Sequence, residues 1–194
     1  MLSSPIVLNF PGDLEMSQDE FFEFCQANRE LRIERDRYGA ISIMPPTGGI
    51  TGNREGNIFG ELYIWTKQDG TGIAFSPSTG FTLSTGANRS PDAAWISLER
   101  WNCLLLEQQQ KFAPICPNFV VELRSRSDSL QSLQDKMEEY AAEDGFQLGW
   151  LIDRQKRRVY IYRPGEEAEC LENPDTVSGD PVLPGFVLDM SKIW

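Results

Sequence analysis

FVVELRSRSDSLQSLQDKMEEYAAEDGFQLGWLID, residues 119–153, carries the signatures of strand, helix and strand in one run, and its reading decides the fold. FVVEL at 119–123 is short, β-branched and aromatic with a single acid, Glu122, which marks a buried strand. Leu130, Leu133, Met137, Tyr140 and Ala141 then recur at three- and four-residue spacing, so one face of a helix is apolar. Ser127 or Asp128 is placed to cap its start and Gly145 to end it. LGWLID at 148–153 and RVYIY at 158–162 flank the polar turn RQKR and read as a strand pair.

Upstream, SQDEFFEFCQA at 17–27 opens on Ser17 and Glu20, the spacing of a capping box, and predicts the first helix. Residues 31–34 and 40–44 are apolar-rich runs joined by a turn at 36–39, a hairpin pattern. PPTGGITGNREGN at 45–57 interrupts it, and Ile58, Phe59, Leu62, Ile64 and Trp65 predict a helix from about residue 53 to about 66. Residues 73–75, 80–83 and 91–96 (PDAAWI) read as short strands and 98–110 as a helical turn or loop. The stretch from 165 onward is acidic and turn-rich. This order predicts one α/β (α+β) domain over residues 1–194, a mixed sheet with helices packed on it. Trp65, Trp95, Trp101 and Trp150 are expected in packing roles.

Composition narrows the chemistry. The 194 residues contain no histidine, which removes Ser-His-Asp triads, Cys-His pairs and imidazole metal sites together. Carboxylate, lysine and hard-metal chemistry remain. Cys25, Cys103, Cys116 and Cys170 form no C-x-x-C pair and are expected to be reduced, mostly buried thiols. The net charge of -11 argues against a broadly basic nucleic-acid face, while a local cluster or a bound divalent cation can offset it at one site. No run approaches the roughly 18–20 apolar residues of a membrane span. MLSSPIVLNFPG at 1–12 has no basic segment followed by an apolar one. A soluble, cytoplasmic protein with no membrane partner is expected.

A carboxylate in an apolar strand is costly to bury unless it is hydrogen-bonded, paired or metal-bound. Glu122 in FVVEL is such a group, and Asp92 follows a proline at the entry to another strand-like run. Two acids from neighbouring strands, with a backbone carbonyl beside one, suit Mg²⁺. Equally, Asp92 can cap a turn and Glu122 can pair with Arg124.

Several blocks, in order, resemble the Uma2 family, a cyanobacteria-rich domain of unknown function in the PD-(D/E)xK nuclease superfamily. They are MPPTGG (44–49), STGFTL (78–83), RSPDAAW (89–95), FVVELRSRSDSL (119–130), LQDKMEEYAAEDGFQLGWLID (133–153) and VLPGFVLDMSKIW (182–194). The resemblance implies a restriction-endonuclease-like fold, a central mixed sheet flanked by helices. It also implies Mg²⁺- or Mn²⁺-dependent hydrolysis of DNA. By position, Asp92 and Glu122 are its metal-binding acids and the Leu123 main-chain carbonyl a third ligand, with Glu34 in RIERD as an assisting acid. Arg124 stands where the superfamily places a lysine, and a permanent cation is a poor proton acceptor. Lys136 on the following helix is the candidate for a migrated lysine. Its alternative is a solvated residue near Glu139 and Glu143. Asn53 and Asn57 either face the site or are exposed helix polarity. The competing functions are a nuclease-fold binding or regulatory module without turnover, motivated by Arg124 and the acidity, and a structural homodimer. The aromatic content is the support for the structural homodimer, and a homodimer is the expected assembly.

Overall fold

The computed structural model describes residues 5–9 and 16–194. The N-terminal stretch 1–12 therefore falls partly outside the described residues. After β1 (Ile6–Leu8), helix α1 (Gln18–Ala27) starts where the capping-box spacing predicts. Ser17 Oγ accepts the Glu20 N–H at 3.2 Å and Glu20 Oε2 accepts the Ser17 N–H at 2.8 Å. Strands β2 (Arg32–Arg35) and β3 (Ile41–Met44) form the expected hairpin. Helix α2 (Gly49–Asp69) begins four residues before the expected position and runs to Gly70, whose φ of 73° supplies the left-handed cap. The glycine-rich segment is its first turns rather than a break.

Next come β4 (Gly72–Phe75), β5 (Phe81–Thr82), β6 (Asn88–Arg89) and β7 (Ala93–Ser97), then two short helices, α3 (Leu98–Trp101) and α4 (Leu106–Gln110). The decisive run folds as read, into β8 (Phe119–Leu123), α5 (Leu130–Ala141) and β9 (Leu148–Asp153), followed by β10 (Arg158–Tyr162). The tail adds β11 (Glu169–Glu172), β12 (Thr176–Ser178) and β13 (Val187–Asp189).

The central sheet is mixed, in the order β11-β10-β9-β8-β7-β4. Strands β8 and β9 are parallel because α5 crosses between them, and the other pairings are antiparallel. A second, antiparallel sheet has the order β1-β3-β2-β6-β5. The sequence predicted one sheet. The division comes at Ser90–Asp92, where the chain leaves β6 in the second sheet and enters β7 in the central one.

Strand periodicity sorts β8 onto two core layers. Phe119, Val121 and Leu123 pack with Ile58 and Leu62 of α2 and with Leu183, Phe186 and Ile193 of the tail. Val120 packs on the opposite face with Met137 and Tyr140 of α5. Trp95 and Trp150 are core residues, and Trp65 and Trp101 pack against the core edges. Of the four free thiols only Cys116 is buried. Cys25 is half-buried, and Cys103 and Cys170 are exposed, because they lie outside the apolar layers. Among the described residues, no helix is long and apolar enough to cross a membrane.

Candidate active site

The antiparallel register of β7 on β8 sets Ala93 opposite Val121 and Ala94 opposite Val120. One step further, at the end of the ladder, it sets Asp92 opposite Glu122. Cross-strand neighbours have Cβ atoms about 4.5–5.5 Å apart, so the two carboxylates share one face of the sheet. A direct bond fixes this geometry: the Leu123 N–H donates to Asp92 Oδ2 at 2.8 Å. The N–H and C=O of a strand residue point to the same side, so the Leu123 carbonyl also faces the Asp92 edge of β8. Asp92 and Glu122 are 5% and 3% exposed, low enough that each charge needs a partner.

Two cations supply it. Arg32 of β2 reaches from the second sheet, where its Nη1 and Nη2 donate to Asp92 Oδ1 at 3.1 Å. The Ser90 carbonyl also accepts from Arg32 Nη2. Lys136 of α5 lies with Nζ 2.7 Å from Glu122 Oε1 and 2.9 Å from Glu34 Oε1. Lys136 is therefore not the solvated helix lysine of the alternative reading, since α5 packs back over β8 and buries it. The Tyr140 hydroxyl adds a 3.3 Å bond to Glu122 Oε1. Among the described residues, Glu122 Oε2 has no hydrogen-bond partner, and Glu122 lines the cleft.

Glu34 is held from three sides. Lys136 and the Ser90 N–H bind Oε1, the latter at 3.0 Å, and Arg89 Nη1 donates to Oε2 at 3.4 Å. Arg89 in turn binds Glu139 at 2.6 Å. The two acids that share Lys136 titrate in opposite directions. Burial alone would raise Glu34, but Lys136, Arg89 and Arg32 outweigh it and hold the carboxyl at about 2. Burial pushes Glu122 up to about 7, with Lys136 opposing and the Asp92 and Glu34 charges adding to the rise. Lys136 itself is raised: burial acts to lower it, and the two glutamates prevail.

Arg124 does not join this group. Its Nη1 donates to Asp153 at 2.8 Å and its Nε to the Asp128 carbonyl at 3.2 Å, where the parallel strands β8 and β9 end. It neither pairs with Glu122 nor lines the cleft. Nor does Asp92 cap a turn. The cap of α5 is Ser129 rather than Ser127 or Asp128, because the Asp128 carboxylate accepts the Ser125 N–H at 2.8 Å and closes the preceding loop. Asn53 and Asn57 bond to each other at 3.4 Å and leave the cleft-facing side of α2 to Thr51, Arg54 and Glu55.

Sequence reasoning missed Arg32 and Glu55. Glu55 lines the same cleft, and its carboxyl is raised by burial and by the Asp92 charge. A helix placed from residue 49 gives it a cleft-facing position, whereas the glycine-rich NREGN pattern conceals that start. The cleft between the two sheets encloses about 2200 Å³. Among the described residues, no three Asp, Glu, Cys or His side chains converge as a ready-made metal cage.

The chain is similar to a crystal structure of a putative nuclease belonging to DUF820 from Anabaena variabilis ATCC 29413. The two share 21% sequence identity with a TM-score of 0.72, over 92% of this chain and 97% of that one. At this identity the likeness establishes a shared fold. No curated protein matches the chain. The model of the Uma2 family, described as "Putative restriction endonuclease", matches residues 18–191, and the chain belongs to that family.

Proposed function

We propose that this protein hydrolyses phosphodiester bonds of DNA at the Asp92–Glu122 pair with a bound Mg²⁺ or Mn²⁺. The register that sets these two acids opposite each other in the wall of the cleft carries the proposal. The donor set fits a hard cation: two carboxylates, a backbone carbonyl and, in Glu122 Oε2, an oxygen without a partner among the described residues. Mg²⁺ keeps several waters and needs only one or two carboxylates, which Asp92 and Glu122 would supply. When bound, the ion would supply an activated water and neutralise charge on the phosphate.

The chain's own residues do the rest. An ammonium has three N–H donors, and Glu122 and Glu34 take two of those of Lys136, leaving one for the attacking water or a phosphate oxygen. Glu34, whose oxygens are committed to Lys136, Arg89 and Ser90, positions that lysine. Arg32 balances the Asp92 charge and stands beside the carboxylate that would hold the ion. Arg124, tied to Asp153, supports the strand end rather than the reaction.

Incubation of the purified chain with plasmid and linear DNA, with each metal and with chelator, tests the proposal. Metal-dependent cleavage is expected, reduced about a hundredfold or more in Asp92→Asn and in Glu122→Gln with both variants folded. Cleavage that persists in both variants rules the site out. Metal and DNA binding without turnover would favour the binding-module reading, for which Arg32 on Asp92 is the relevant observation.

A further inference from the structure

Three arginines line the same cleft a short way from the acids: Arg54 of α2, Arg126 in the loop after β8, and Arg154 just after β9. Arg154 ties their positions together. Its Nη2 donates to Thr51 Oγ1 at 3.2 Å, three residues before Arg54, and its Nε donates to the Arg124 carbonyl at 3.3 Å, two residues before Arg126. Arg54 is oriented by a 2.8 Å bond to the Trp194 main-chain oxygen. Among the described residues, none of the three makes an ion pair with an Asp or Glu side chain. Asp128 and Glu55 are the acids that face them, and Asp128 is bound to the Ser125 N–H while Glu55 accepts from Thr47 at 3.4 Å. The crowding registers in Arg154, lowered first by burial and then by the charges of Arg54 and Arg126. In a chain with 18 basic and 29 acidic residues, three cations gathered with no Asp or Glu ion pair among the described residues leave room for an anion.

We propose that Arg54, Arg126 and Arg154 form a phosphate-binding subsite for the backbone of a nucleic-acid strand, beside the phosphate that a metal ion held by Asp92 and Glu122 would engage. Guanidinium groups bind phosphate oxygens through paired N–H donors, so the contact is strong and independent of base sequence. Arg126 follows Glu122 by four residues, and Arg154 is bonded to the Arg124 carbonyl two residues after Glu122, so the cluster lies at the same end of β8 as the acids. The place of the subsite beside that phosphate rests on the nuclease reading; the subsite itself does not.

Binding is measured by fluorescence anisotropy of labelled duplexes of two unrelated sequences, in chelator so that nothing is cut, across a salt series. Arg126→Ala and Arg154→Gln are compared with the wild type and with Arg163→Ala, which pairs with Glu169 of the edge strand β11 and does not line the cleft. Arg126 is exposed and its truncation leaves the fold intact, which thermal melting checks. Each cleft variant is expected to weaken both duplexes about five- to tenfold and to lower the slope of log affinity against log salt by about 1, with Arg163→Ala unchanged. Unchanged affinity and slope in both cleft variants overturn the subsite, as does equal loss in Arg163→Ala. Wild-type binding of inorganic phosphate but not of DNA overturns the nucleic-acid assignment. Arginine-dependent binding with no cleavage under any metal would retire the nuclease reading and keep the subsite. Cleavage indifferent to both arginines would do the reverse.

Discussion

Lys136 sits between two glutamates whose opposite shifts make opposite demands on stability. Glu34 is depressed to about 2, so its contribution is present above the unfolded value near 4.5 and is lost as pH falls toward 2. Glu34→Gln is therefore expected to cost about 3 kcal/mol at neutral pH, a cost that shrinks in acid. Glu122 is raised to about 7, so its contribution is present below 4.5 and is lost as pH climbs through 7. In chelator, Glu122→Gln should be as stable as the wild type at pH 5 and roughly 1 to 3 kcal/mol more stable at pH 8. Urea melts at several pH values decide both, and a Glu122→Gln variant that loses stability at pH 8 would contradict this account. The acids and Lys136 were legible from the family blocks around them. Arg32 was not, because a polar residue at the start of a hairpin strand looks the same whether it meets solvent or reaches across to another sheet.

At the scale of elements, α2 and β4 give one substitution two opposite outcomes. Helix α2 carries Gly49, Gly52, Gly56 and Gly60, which is why the sequence signalled a break where the helix already runs. Packing of Ile58 and Leu62 on the central sheet outweighs that poor propensity. A Cβ at Gly56 would meet nothing within 4 Å, so Gly56→Ala should raise stability by about 0.4–1 kcal/mol. In β4, a Cβ at Gly72 would come within 2.2 Å of the Trp95 ring, which is buried against Trp65 and cannot retreat. Gly72→Ala should cost about 1–3 kcal/mol. Denaturant midpoints moving in opposite directions are expected, and a loss at Gly56 or none at Gly72 would count against this packing. Strands β8, β9 and β10 matched their expected bounds because buried strands are continuous apolar runs. The short strands β1, β11, β12 and β13 escaped notice because exposed edges carry no such pattern.

For the whole molecule, a net charge of -11 raises a problem that composition alone could state but not locate. A divalent cation is drawn to any acidic surface, so stabilisation by metal is informative only if it is specific. The fold separates the two effects by placing Asp92 and Glu122 opposite each other at the meeting of two sheets, while most other acids lie outside the cleft. A metal that binds only the native state stabilises it by about 2.7 kcal/mol at a hundred times its dissociation constant. That is a rise in melting temperature of about 5–10 °C for a chain of this length. Mn²⁺ or Mg²⁺ should produce that rise in the wild type, chelator should reverse it, and Na⁺ at matched ionic strength should give much less. Asp92→Asn should abolish the metal-specific part while retaining the response to Na⁺. An equal rise in the variant would mean that the ions act on the acidic surface as a whole, and the two-acid site would lose its claim to metal.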